Sequence, residues 1–576
     1  MESTRLTMPW SGPLITSRVP PYPRRRFAGL TVRGRDDLEV GGYDAYVSGT
    51  YLITYADRLG GDLAGVRRVL NGRLRGFAGV HLLPFFTPYD GADAGFDAVD
   101  HGSVDPRLGT WDDVRALAGD GYDVVADLIV NHMSAASAEF TDWLARGADS
   151  PYDGLFLTYA DVFPDGATEA DITAFYRPRP GLPFTSYRAG DGTRHLMWTT
   201  FMPSQIDINV RSGAGRAYLE TILRTLAEAG AGMVRLDAVG YVIKTPGTDS
   251  FMTPQTLEYV RELAAVCRSY GLKVLVEVHA HYTQQLAVAR EVDYVYDFAT
   301  PALLLHGLRT GTLAPFAAWE GVRPRNTFTV LDTHDGIGII DAGPLGVETP
   351  ADRDKRDKGT VRFVTSELRN VTKRTVPLSH SLPGLITQED MAALFTWIDA
   401  NSRGVSGAAS VTPAWFALPH QANTTYYEAL GRDDAAYLLA RAVQFFLPGI
   451  PQVYYVGLLA GANDLALWHA TGQGREVNRH RYDETEIDAA LERDIVQALF
   501  GLMALRESPV FDGEYGFRVL GEGDAEFRWW AGEETCTLVV DVGVKSTVVT
   551  HVRAGRTTTY SGVADLARLG RARLGR

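Results

Sequence analysis

The chain has 576 residues, 45% of them hydrophobic and 22% charged, with a formal net charge of −14. Such a length suits a large barrel with appended pieces and a sizeable core, while the acidic balance argues against a nucleic-acid partner, which would want a basic surface. The two cysteines, Cys267 and Cys536, exclude a disulfide framework and sit in no CxxC or CxxH zinc pattern, so a reducing cytoplasm fits.

Residues 1–50 read as a loosely packed or disordered extension. Arg24, Arg25 and Arg26 stand among prolines and no apolar run follows, so no signal peptide is expected. From residue 51, short apolar runs alternate with helical segments, the pattern of βα units around a parallel sheet. The runs are 51–54, 79–83, 124–130, 233–237, 274–278, 294–298, 328–332 and 451–456. Their continuous apolar character fits strands buried on both faces. Eight such units predict an α/β fold, a (β/α)8 TIM barrel, built from 51–132, 233–335 and 445–507.

Two connections are far longer than usual. Residues 133–232 read as an inserted subdomain, and 336–444 as a long loop or second subdomain after strand seven; loops after barrel strands build the active site. The second holds a basic stretch, 353–374, read as a solvated surface excursion or, alternatively, a phosphate-attracting lid. The apolar window 445–462 carries prolines and glycines and reads as a buried strand and loop, not a membrane span. Residues 508–563 alternate with period two, which predicts a small antiparallel C-terminal β domain. The Arg-rich tail 564–576 is expected to fray.

Three carboxylates stand at or beyond strand ends: Asp237, Glu277 and Asp335. In a TIM barrel these positions gather at one rim. Any one of them could merely pair with an arginine or cap a helix. Three together point to a nucleophile and an acid/base, the requirement of glycosidic chemistry. Their mutual repulsion predicts that one carboxyl has a raised pKa. Arg235 lies two residues before Asp237, on the same face of the strand, where it can keep Asp237 ionised. Nothing in the residues suggests a metal or organic cofactor, and no dense Asp/Asn cluster of the kind that holds calcium is present.

Met233-Val-Arg-Leu-Asp-Ala-Val-Gly-Tyr241, Leu275-Val-Glu-Val-His279 and Leu331-Asp-Thr-His-Asp-Gly-Ile-Gly338 resemble conserved regions of the α-amylase superfamily (glycoside hydrolase family 13), most of all its sucrose phosphorylase branch. Ile129-Val-Asn-His-Met-Ser134, Tyr176-Arg-Pro-Arg-Pro-Gly-Leu-Pro-Phe184 and Gly474-Arg-Glu-Val-Asn-Arg-His480 fit the same branch. The resemblance spans roughly 51–509. It implies a retaining glucosyl transfer from sucrose or a related α-glucoside to inorganic phosphate. By the same resemblance, Asp237 is the nucleophile, Glu277 the acid/base and Asp335 the holder of the sugar hydroxyls. His132 and His334 would bind glucose hydroxyls. Asp93 and Arg475 would pair and close the far side of the glucose pocket. Phe96, Phe201 and Tyr241 are hydrophobic walls, or otherwise ordinary core aromatics, and Gln205 joins the substrate-binding set. Arg179 matches a phosphate-binding position, and Gln421 an acceptor-loop position.

The acceptor loop departs from the sucrose pattern. His420 replaces an expected Tyr, and Leu418 an expected Asp. Relatives that use sucrose 6F-phosphate share the His but carry an Arg where this chain has Pro178. The leaving group therefore stays open among fructose, fructose 6-phosphate, glycerol and glycerate. Hydrolysis or transglucosylation is a further alternative. A non-enzymatic barrel would be marked by loss of a carboxylate, and all three are present. A homodimer is left open.

Overall fold

The computed structural model describes residues 49–89, 94–177, 181–344, 360–364, 373–377, 384–412 and 418–575. Eight parallel strands close into a barrel: β1 (Tyr51–Thr54), β2 (Gly79–Leu82), β3 (Asp123–Ile129), β4 (Ala231–Asp237), β5 (Lys273–Val276), β6 (Tyr294–Asp297), β7 (Thr327–Thr329) and β8 (Ile450–Tyr454). Each coincides with one of the eight apolar runs. Strands neighbour one another in chain order, and β1 closes on β8 with Tyr51 opposite Gln452. The lumen is packed by Tyr51, Val125, Met233, Leu275, Tyr296, Phe328 and Ile450. The outer faces meet helices, so both faces are dry, and this explains why the runs do not alternate.

Between β3 and β4 lies the inserted subdomain. It starts with a short antiparallel pair, His132–Ser134 against Gln205–Asp207. A hairpin, Phe184–Arg188 with Arg194–Trp198, covers a small core of Leu157, Phe163, Phe175 and Trp198. A helix, Gly213–Glu228, capped by Ser212, then returns the chain to the barrel. After β7, Ile337–Gly338 pairs with Gln421–Ala422 and brings the far end of the long excursion back to the rim. Most of the basic stretch 353–374 lies outside the described residues; from it, Thr360–Val364 pairs antiparallel with Lys373–Pro377, which runs just past its end. The N-terminal residues 1–48 also lie outside them.

Five antiparallel strands follow, β9 (Glu514–Val519), β10 (Asp524–Ala531), β11 (Glu534–Asp541), β12 (Ser546–Arg553) and β13 (Arg556–Ser561), paired in chain order. The Arg-rich tail does not fray. It forms a helix, Gly562–Leu574, that buries Leu566, Ala567, Gly570 and Leu574. It crosses the helix Asp494–Arg506 at close range: a Cβ on Gly570 would sit 1.8 Å from the Gln497 carbonyl oxygen. Arginine-rich composition masked the apolar face that pins this segment. Both cysteines are buried and free. Among the described residues no helix is long and apolar enough to cross a membrane.

Candidate active site

The carboxyl ends of β3, β4 and β5 place Asp127, Asp237 and Glu277 around one buried cation, and the loop after β7 brings Asp335 to the same rim. Arg235, on β4, is 1% exposed. Its Nη1 donates to Asp127 on β3, and its Nη2 donates to Glu277 and lies 3.3 Å from Asp237 Oδ1. The guanidinium also lies over the Phe96 ring, 5.4 Å from its centroid. Asp127 is itself held from behind by His81 Nε2 at 3.3 Å; His81 Nδ1 meets the Tyr296 hydroxyl, which donates to Gln452 at 3.0 Å. Arg235 is thus anchored in the barrel and aimed at the rim. Directly after Asp237, Ala238 takes a left-handed φ of 52°. A residue with a Cβ in that region costs about 1–3 kcal/mol.

Asp335 is engaged from the other side. Arg475 Nη1 lies 2.6 Å from it, and Gln421 Nε2 donates to it at 3.3 Å. Arg475 Nη2 in turn donates to Gln421 Oε1 at 3.0 Å. His334 Nε2 is 3.7 Å from Asp335, and its ring stacks on Phe96 with centroids 5.2 Å apart. His132 Nε2 lies 3.0 Å from the Phe96 carbonyl, and Gln205 Nε2 donates to that same carbonyl. Phe201 sits between His132 and Tyr241, with centroids 5.2 and 5.1 Å away. On the loop side, Tyr241 stacks on Tyr176 at 6.1 Å and Tyr176 on His420 at 6.4 Å. One rim therefore gathers Phe96, His132, Phe201, Gln205, Arg235, Asp237, Tyr241, Glu277, His334, Asp335, His420, Gln421 and Arg475. Asp93 and Arg179 lie outside the described residues, so the proposed Asp93–Arg475 pair does too.

The expected raised carboxyl pKa does not appear at Glu277 or Asp335. Burial pushes Glu277 up, but Arg235 and His279 more than offset it and hold the carboxyl at about 2. Burial likewise opposes ionisation of Asp335, and Arg475, His334 and His279 bring it well below the carboxylate range. Cations interleaved among the acids, not repulsion between the acids, set the balance. Burial takes His334 down to about 3, and burial with the nearby His279 takes His420 down to about 4, so both are neutral near pH 7.

Sequence reasoning missed several members of this site. Asp127 and Lys244 are buried charges whose partners are set by tertiary structure; the signal for Asp127 was an acid inside an apolar strand. His279, two residues beyond Glu277, lies 3.6 Å from it through Nε2, while Nδ1 meets Asp341 Oδ2 at 3.2 Å. Its ring stacks on Phe298 with centroids 3.9 Å apart. Burial opposes its charge, but Asp341 and Glu277 push its pKa up to about 10. A Cβ on Gly338 would fall 2.2 Å from Asp341 Oδ2, so the glycine makes room for this pair. Glu277, His279 and Asp335 offer oxygen and nitrogen atoms within 4.8 Å of one another. A protonated His279 has no lone pair to give, and Arg475 already neutralises Asp335, so the trio is poorly suited to a cation.

The chain matches the α-amylase catalytic domain family over residues 22–308. It is 46% identical to a sucrose phosphorylase of Agrobacterium vitis over 502 residues, which is 87% of this chain and 96% of the relative. It is also 46% identical to a sucrose phosphorylase of Bifidobacterium adolescentis, covering 85% of this chain and 91% of the relative. The crystal structure of a sucrose 6F-phosphate phosphorylase from Thermoanaerobacter thermosaccharolyticum superposes with a TM-score of 0.77 at 32% identity, covering 89% of this chain and 98% of that one.

Proposed function

Because the chain belongs to the sucrose phosphorylase branch of the α-amylase superfamily and is a glycosyl-transferring enzyme of that type, we propose that it converts sucrose and inorganic phosphate into α-D-glucose 1-phosphate and D-fructose. The work is assigned to two displacements at one carbon. Asp237 attacks the anomeric carbon as the bond to the fructosyl oxygen breaks, and Glu277 gives that oxygen its proton. A phosphate oxygen then attacks the glucosyl ester, Asp237 leaves as carboxylate, and Glu277 takes up the acceptor's proton. Asp335, His132 and His334 hold the glucosyl hydroxyls, with Phe96, Phe201 and Tyr241 as walls.

The observation that carries this reading is the single Arg235 nitrogen shared by Asp237 and Glu277. Two acids that each place an oxygen against one nitrogen stand close together, which supports the closer spacing of retaining pairs over the roughly 6.5–9.5 Å of inverting ones. Glu277 is ionised in the ligand-free site and must gain a proton for the first step. A sugar that displaces water adds to the desolvation already pushing Glu277 upward. For the acceptor, Arg179 is assigned to phosphate and Gln421 to sugar hydroxyls. A neutral His420 favours unphosphorylated fructose over its phosphate ester.

The test supplies α-glucose 1-phosphate with fructose, fructose 6-phosphate, glycerol or glycerate and measures phosphate release. Fructose is expected to rank first. Another acceptor in first place reassigns the leaving group, and turnover independent of phosphate marks a hydrolase or transglucosylase. In the sucrose-cleaving direction, NMR should show the α-anomer of glucose 1-phosphate first; the β-anomer would remove the nucleophile role from Asp237.

A further inference from the structure

A second buried ion pair lies beside the pocket, outside the reacting groups. Lys244, beyond the turn that follows β4, has a side chain 3% exposed, and Asp207 of the inserted subdomain 1%. Lys244 Nζ lies 2.7 Å from Asp207 Oδ2 and donates to Thr200 Oγ1 at 2.9 Å, to Asn131 Oδ1 at 3.3 Å and to the Tyr241 carbonyl. Asp207 accepts from Asn131 Nδ2 at 3.1 Å, from the Thr200 amide at 3.0 Å and from the Thr200 hydroxyl at 2.5 Å.

Each partner adjoins a wall of the glucose pocket. Asn131 precedes His132, Thr200 precedes Phe201, Asp207 shares a three-residue strand with Gln205, and Tyr241 is bound through its own backbone. These walls come from three separate stretches: the end of β3, the inserted subdomain and the turn after the nucleophile strand. The subdomain is not part of the barrel ladder, so something must set its register on the rim. A fully buried ion pair is weak evidence for stability, since apolar side chains of similar size often do as well. What an ammonium can do and a methyl group cannot is gather several oxygens from separate segments at one point.

Resting on the glucose pocket proposed above, we propose that Lys244 is a positioning residue: with Asp207 it clamps the inserted subdomain to the nucleophile strand and so fixes His132, Phe201 and Tyr241 around the glucosyl unit. It acts through those walls and touches no reacting atom.

The test uses the full-length protein and two variants, Lys244→Met and Lys244→Met with Asp207→Asn. The cavity of about 10 Å³ beside Lys244 is small, so arginine would overpack the site and methionine is the better fit. The single variant strands a buried carboxylate and could fail to fold. The double variant carries neither charge and is expected to recover much of the lost thermal midpoint. Two quantities are read per folded molecule: the affinity for a glucose-shaped iminosugar, and the KM for phosphate. The clamp predicts that iminosugar affinity stays at least about tenfold weaker in the double variant despite its recovered stability, with the phosphate KM within about twofold of the parent. Iminosugar affinity that returns together with the thermal midpoint would show a merely structural pair and overturn the proposal. So would an equal loss at the phosphate step. A parent protein that binds no iminosugar would overturn the glucose pocket and the clamp together.

Discussion

The proposed donor side and the proposed acceptor side of the rim are built differently. On the donor side Arg235 and Asp207 are buried and multiply held: Arg235 by Asp127, Glu277 and Asp237, and Asp207 by Lys244, Asn131 and Thr200. Asp127, Arg235 and Asp237 stand on barrel strands, and Glu277 directly follows one, so strand register leaves these four little freedom. The acceptor side is made by the ends of long excursions. Gln421 arrives on a two-stranded pair after β7, and His420, directly before it, contributes a neutral ring. On the proposed assignments, bond-breaking chemistry rests on elements that cannot shift without opening the barrel, whereas the choice of acceptor rests on loops that can change independently. That division suits a family whose members carry names differing in the acceptor.

The comparison is broken most severely on the donor side. Asp237→Asn keeps the size of the side chain and removes the attacking charge. Activity should fall at least about a thousandfold, with an unchanged circular dichroism spectrum. Near-parental turnover would withdraw the nucleophile assignment, and with it the claim that donor chemistry is fixed by β4.

On the acceptor side a smaller, selective effect is expected. A charge-assisted contact is worth about 1.5–3 kcal/mol, roughly ten- to a hundredfold. A neutral His420 forgoes that gain for the phosphate ester, so fructose should outrun fructose 6-phosphate, and His420→Tyr should keep the order. A parent enzyme that prefers the phosphate ester, and loses that preference in the variant, would reverse the reading of this loop.

The mildest effect concerns the boundary between the two sides. His279 has a folded pKa of about 10, against about 6.5 for a free histidine. The folded state therefore binds the extra proton more tightly. The stability this confers is complete below about pH 6.5 and is lost as pH rises towards 10. Asp341→Asn removes the principal partner, so the decline of the thermal midpoint across that window should flatten. A midpoint with the same alkaline slope in both proteins would mean that His279 does not carry the charge.

Much of this architecture was legible in the residues alone. The barrel strands showed because burial on both faces leaves no polar alternation, and the strand-end acids showed because a carboxylate there is costly without partners. The interior supports did not show. Nothing in the spacing of Asp127 and Arg235, or of Asp207 and Lys244, says that they meet, because the meeting is made by strand order and by the docking of an insertion. The raised carboxyl expected of the three acids is absent at Glu277 and Asp335 for the same reason. The acids were visible along the chain, but the cations threaded between them become visible only in three dimensions. The C-terminal helix was misjudged because composition was weighed above periodicity: Leu566, Gly570 and Leu574 recur at four-residue steps, enough for one buried stripe.

The seam between β1 and β8 joins residues roughly 400 positions apart in the chain. Until β8 has left the ribosome, the apolar edges of β1 and of β7 have no partner, and the lumen around Tyr51 and Phe328 stands open. Contacts of such long sequence separation make assembly slow and leave sheet edges exposed to other chains in the meantime. Recovery of this protein from a cell should therefore depend steeply on growth temperature and on available chaperones, even though its finished barrel has no free edge.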